Sequence, residues 1–168
     1  MAVTTKISYK GCEVGAPTLG GCAIDPFSVL TSGTTYTSTG KCFEILSVEA
    51  YGTLSPDTIT FDTGPFTDCR ECYGSIFDYA AAVDCINGST YYFEFTGFTG
   101  TPLIDEVYFI EISGKDGSSY NCFGMKSYGS FDPLDPVSYT TIEGTPTLST
   151  DCTGCLNSSF LIYDVTPC

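Results

Sequence analysis

Short runs of alternating apolar and polar residues, each stopped by turn chemistry, recur along the whole chain. YYFEF (91–95) and VYFIEI (107–112) alternate as half-buried strands do. TITF (58–61), NCFGM (121–125), VSYTTI (137–142) and SFLIYDV (159–165) are similarly rich in β-branched and aromatic residues. Between them lie SPD (55–57), NGS (87–89), GKDGSS (114–119) and DPLDP (132–136), all turn formers. SIFDYAAAV (75–83) carries three consecutive alanines, but its counterpart SSFLIYDV (158–165) reads as strand. Both are therefore assigned to strand or irregular structure. The pattern predicts an all-β chain.

Cysteine divides that chain. FTDCRECYGSIFDYAAAVDC (66–85) and STDCTGCLNSSFLIYDVTPC (149–168) share C-x2-C-x12-C spacing and several neighbouring residues. The match extends upstream: Lys41-Cys42-Phe43-Glu44-Ile45 corresponds to Asn121-Cys122-Phe123-Gly124-Met125. Before these, 27–36 resembles 108–120, with Gly33 opposite Gly114 and Tyr36 opposite Tyr120. Each unit then holds four cysteines, Cys42, Cys69, Cys72, Cys85 and Cys122, Cys152, Cys155, Cys168, while Cys12 and Cys22 resemble the tail of a preceding unit.

The expected architecture is two tandem small disulfide-stapled β modules, sandwich or barrel-like, preceded by a partial unit. Residues 1–26 form the partial unit and an assembly strand, 27–85 the first repeat and 86–168 the second. Four cysteines allow several pairings. Analogy with the fragment favours Cys12–Cys22, Cys72–Cys85, Cys155–Cys168, Cys42–Cys69 and Cys122–Cys152. Each bridge would contribute about 2–4 kcal/mol. The N-terminal AVTTKISY (2–9) alternates as a strand does and is expected to complete a neighbour's sheet.

Composition narrows the function. The formal charge of −14, with only six Lys and Arg, excludes the positive footprint that nucleic acid requires and opposes adsorption to anionic lipid. No run approaches the ~20 apolar residues of a membrane span, and MAVTTKISYKGC lacks a signal-peptide pattern. Cysteines nonetheless point to an oxidising destination. The two facts meet if a leader lies outside the numbered chain, or if the protein is made in a cytosol and meets oxidant later, as in a virus particle released by lysis.

Histidine is absent, which removes His-based nucleophile pairs, His-containing zinc sites and the usual general base near neutral pH. Arg70, inside one C-x2-C, has no counterpart in the other copy and reads as surface charge. Asp68 and Asp151, each preceding a repeated cysteine, are expected to cap turns. Asp132 and Asp135 fit no calcium-loop pattern, and the sequons at Asn87 and Asn157 matter only in a glycosylating host. No cofactor is expected. Zinc on the cysteines is the alternative to disulfides, and a C-x2-C redox role would need a helix in an α/β pattern.

The phrase Asp68-Cys69-x2-Cys72, then Cys85-Ile86-Asn87-Gly88, Tyr91-Tyr92-Phe93, VYFIEISG (107–114) and Cys122-Phe123 resembles a repeat of structural proteins of environmental tailed phages. In these, several copies are strung along a longer chain. The resemblance covers residues 27–168 and rests on cysteine spacing. It implies a non-enzymatic virion or fibre component with no catalytic residues. Its partners would be copies of itself or other structural proteins, in an extracellular virion or filament. A surface module binding glycan or protein, using the tyrosines of β loops, is the alternative.

Overall fold

The computed structural model describes residues 3–25, 30–49, 58–114 and 117–160. Among the described residues the chain is all-β with two short α-helices, and it divides into two units, Met1–Ile76 and Phe77–Cys168. In the first, β1 (Val3–Gly11), β2 (Thr18–Asp25), β3 (Thr35–Ser38), β4 (Lys41–Glu49), β5 (Thr58–Thr60) and β6 (Thr63–Phe66) precede helix α1 (Cys69–Ile76). In the second, β7 (Tyr79–Asp84), β8 (Thr90–Glu94), β9 (Val107–Gly114), β10 (Gly117–Gly129) and β11 (Ile142–Ser149) precede α2 (Cys152–Phe160).

The strand orders are the same. The first sheet runs β2-β1-β4-β3-β6, with β5 added parallel to β2, and the second runs β8-β7-β10-β9-β11. Register agrees as well. Gly11 faces Phe43 and Asp84 faces Phe123, so the residue before Cys12 or Cys85 meets the residue after Cys42 or Cys122. Along both pairs one residue is then skipped, Leu46 in β4 and Lys126 in β10, each the fourth after its strand's cysteine. A bulge at the same place in both units marks one inherited strand pairing.

This register sets the phase of the repeat and corrects the boundaries expected from cysteine spacing. Residues 3–25 are not a partial unit: β1 sits between β2 and β4 in the middle of the first sheet. Nor is β1 an edge strand offered to a neighbour. The repeats run 1–76 and 77–168 rather than 27–85 and 86–168, and Tyr36 corresponds to Tyr108, since each faces the phenylalanine after the cysteine. In each unit the described strands form one sheet, to which a helix is bridged by two disulfides, as the expected stapled β modules require.

Alternation explains the core. On β9, Tyr108, Ile110 and Ile112 point to one face, where they join Ala80, Ala82, Phe93, Phe123 and Met125. Val107 and Phe109 point to the other, where they meet Cys122, Cys152, Cys155 and Leu156. The first unit packs Ile7, Ala23, Leu30, Tyr36, Ile45 and Phe61 in the same way.

The β7–β8 hairpin is closed by a buried carboxylate. Asp84, 1% exposed, accepts from the amide of Ile86 at 2.7 Å and from the Asn121 side chain at 3.1 Å. Asp84→Ala is expected to cost about 2–3 kcal/mol, because those donors lose a charged acceptor in a buried place. Asp84→Asn, which keeps a carbonyl oxygen for the turn, should cost less. Chemical denaturation of the two variants checks the order.

Candidate functional site: the stapled helices and a tyrosine groove

Both C-x2-C motifs open a helix. Asp68 Oδ1 accepts from the Glu71 amide at 2.9 Å, and Asp151 Oδ1 accepts from the Gly154 amide at 2.6 Å. Each aspartate is thus a helix N-cap rather than a simple turn cap. Starting the helix at the first cysteine places the two sulfurs on the sheet side about one turn apart, so each meets a different strand.

The structure joins Cys12 to Cys69, Cys42 to Cys72, Cys85 to Cys152 and Cys122 to Cys155, with Cα separations of 5.7, 6.0, 5.6 and 6.0 Å. None of the five expected pairings is formed. In each unit the first helix cysteine takes the cysteine just after the first strand, and the second takes the cysteine of the long central strand. The reason is strand pairing: Cys12 donates its amide to the Cys42 carbonyl at 3.0 Å, and Cys85 to that of Cys122 at 2.8 Å. This neighbourly pair of cysteines forms a platform onto which the helix is locked by both its sulfurs.

Cys22 is buried on β2, opposite Lys6, where the second unit has Glu94 opposite Tyr79. It therefore belongs to no repeated position. Cys168 and the segment 161–165, like SPD (55–57), lie outside the described residues. The VSYTTI stretch is strand only from Ile142.

Four disulfides mark a protein of an oxidising, extracytosolic environment. Sulfurs engaged in these bridges are not thiolate ligands, and among the described residues no group of three or more His, Cys, Asp or Glu is arranged to hold a metal. The helix-opening C-x2-C pairs are likewise not dithiols facing each other, because each cysteine is bonded elsewhere. No described helix is long and apolar enough to cross a membrane.

The α1 cap carries a pH dependence. Glu71 accepts from the amide of Thr67 at 2.7 Å and from its hydroxyl. The Thr67 hydroxyl, followed by the amide, holds the Glu71 carboxyl below its ordinary value of 4.5. A carboxyl depressed in the folded state adds stability that is present above its unfolded pKa. That stability is lost as pH falls through the lower, folded value. The first unit should therefore weaken below about pH 4.5, and Glu71→Gln should flatten that part of the acid-denaturation curve.

The two units differ on the sheet face that carries the helix. In the first, Lys6 pairs with Glu49 at 2.9 Å and Lys10 with Glu44 at 3.1 Å across β1 and β4. The corresponding pairs in the second are Tyr79 with Gly129 and Val83 with Gly124. Gly129 is required there, because a Cβ at that position would stand 2.2 Å from the Tyr79 ring. Tyr79 also meets Tyr92 and Tyr139 edge-on, with centroids 5.8 and 5.6 Å apart.

Beside this cluster, Glu94, Thr96, Gly97 and residues 139–142 line an open groove of about 240 Å³. Thr140 donates its amide to the Tyr92 carbonyl at 2.8 Å, which holds the 139–142 segment against the β8 edge. Desolvation, then the carboxylates of Glu94 and Asp78, push the Tyr139 hydroxyl above its ordinary pKa of 10.0. Spacing-based reading passed over this groove because its residues come from two distant stretches, 94–97 and 139–142.

No family model, curated protein or solved structure matches the chain.

Proposed function

We propose that this chain is a non-enzymatic structural subunit of an extracellular assembly, best read as a phage virion component (decoration, tail or fibre) or a filament subunit. Its partners are copies of itself or other structural proteins of the same assembly, and it works without a cofactor. The observation that carries the reading is the duplication: two units share strand order, bulge, helix cap and both bridges. Repeating one small stapled unit multiplies a rigid spacer. Units of this size gain little stability from their cores alone, so cross-links supply what survival outside a cell demands. The acidic surface keeps like subunits dispersed until specific contacts form. Electron microscopy of native material, with the chain located by labelling, tests this. The chain should sit at regular intervals in a lattice or filament, and recovery only as an isolated monomer in particle-free fractions would refute it.

The tyrosine groove favours one second reading, a surface module binding glycan. Tyrosine faces are suited to stacking on sugar rings, and the lining holds Tyr139 together with the Glu94 carboxylate, an acceptor of the kind sugar hydroxyls need. A glycan bound by the wild type and lost by a folded Tyr139→Ala variant would move the reading to that class.

A further inference from the structure

The two helices are fastened alike and bedded differently. Helix α1 packs on β3, β4 and β6, and α2 on β9, β10 and β11. Tyr36 turns to the core with Phe61, so Thr35 and Thr37 turn to the other face, where Cys42, opposite Thr37, is bridged to α1. Their counterparts under α2 are Val107 and Phe109, packed with Cys122, Cys155 and Leu156. Thr35 and Thr37 are 1% and 3% exposed. The Thr37 and Thr63 hydroxyls share a hydrogen bond of 2.6 Å. Thr35 Oγ1 is buried with no hydrogen-bond partner among the described residues. Tyr73 stands where α2 has Leu156, and desolvation, then the Glu13 carboxylate, raise its hydroxyl above the ordinary 10.0. Docking α1 therefore desolvates hydroxyls, whereas docking α2 buries apolar surface.

Exposure of the bridges does not distinguish the units. Cys12, Cys69, Cys85 and Cys152 are half-buried, and Cys42, Cys72, Cys122 and Cys155 are buried. What differs is the non-covalent hold on each helix. That hold sets how firmly a bridge resists reduction, because contacts made only with the helix docked favour the oxidised form. We infer that α1 is a reductant-sensitive latch: a dithiol frees it from its threonine bed while α2 stays docked on Val107 and Phe109. The exchange balances. One dithiol sulfur, as thiolate, attacks a bridge sulfur, forming a mixed disulfide and expelling the other cysteine as thiolate. The second dithiol sulfur then attacks the first, closing a cyclic disulfide and releasing the remaining cysteine. Each bridge gains two electrons from one dithiol, so two dithiols open both bridges of unit 1. The chain thus keeps two stapled units in an oxidising medium and one in a reducing compartment.

Equilibrating the intact protein with graded ratios of reduced to oxidised dithiothreitol, then quenching with acid, alkylating and mapping peptides, tests this. Cys42 and Cys72 should be alkylated at a ratio about tenfold below that needed for Cys122 and Cys155. Over the same interval amide exchange across residues 69–76 should become fast while that across 152–158 stays slow. Thr35→Val, which gives unit 1 the side chain of Val107, should raise the unit 1 midpoint by about fivefold or more. Because that hydroxyl is hydrated once α1 has left, the shift reports release of the helix and not reduction alone. Val107→Thr should lower the unit 2 midpoint by the same logic. Both inner bridges opening at one ratio, or Cys122–Cys155 opening first, would overturn the inference. So would slow exchange across 69–76 after Cys42 and Cys72 are alkylated, or a Thr35→Val midpoint equal to that of the wild type.

Discussion

Replacing Cys12, Cys42, Cys69 and Cys72 by alanine is expected to unfold the first unit and leave the second folded. The Cys12–Cys69 bridge closes a sequence separation of 57 residues and Cys42–Cys72 one of 30. Loop-closure entropy values each at about 4 kcal/mol when taken alone. The two loops overlap, so their joint removal costs less than the sum, yet it still rivals the whole stability of a domain this size, about 4–11 kcal/mol. Burial adds to the loss. Cys42 and Cys72 are 3% and 0% exposed, and the α1 helix they hold is short and contains Gly74. Calorimetry of the wild type and the four-alanine variant checks the outcome: one transition should vanish and the other persist, with Cys85–Cys152 and Cys122–Cys155 still mapped as bridges. Removing Cys12–Cys69 alone should lower the first unit's midpoint by roughly 15–30 °C without abolishing it. An unchanged first-unit transition in the four-alanine variant would show that strand pairing alone specifies the unit.

Local chemistry was legible in the sequence, and long-range chemistry was not. YYFEF and VYFIEI became β8 and β9 because alternation reports which face of one strand is buried, a property of neighbouring residues. Asp68 and Asp151 were legible as caps for the same reason. Bridge partners depend instead on which strands lie side by side, and C-x2-C-x12-C spacing says nothing of that. Cys72 and Cys85 are near in sequence yet belong to different units. Cys22 compounded the error, since it supplied a second N-terminal cysteine at a place the other unit fills with Glu94. The helices were missed because CRECYGSI and CTGCLNSSF have weak intrinsic helicity. Two sulfurs anchored to the sheet and an aspartate cap hold them, and only the cap could be read from the chain. The groove escaped notice because Glu94 and Tyr139 are brought together by an amide bonded to the β8 edge.

Truncating the aromatic that follows the central-strand cysteine should cost far more in the second unit than in the first. Phe123 is fully buried and sits edge-on to Tyr91 and Phe93, with centroids 5.1 and 5.0 Å away. Its neighbours belong to a sheet pinned by two bridges, so they relax little into the space left behind. Phe123→Ala should therefore cost about 3–5 kcal/mol, the range for a large aromatic deleted from a rigid core. Phe43 holds the same register position, opposite Gly11 and Tyr36 as Phe123 is opposite Asp84 and Tyr108. It is only half-buried and meets the Tyr9 ring edge-on at 5.7 Å. Less apolar area returns to water there, and solvent fills the gap, so Phe43→Ala should cost about 1–2 kcal/mol. Urea titrations of the two variants, with each unit's transition followed separately, measure both losses. Equal costs would mean that the shared register, rather than the local packing, sets the contribution of this position. A loss confined mainly to the second unit would show that one backbone pattern has been filled with two cores of different tightness.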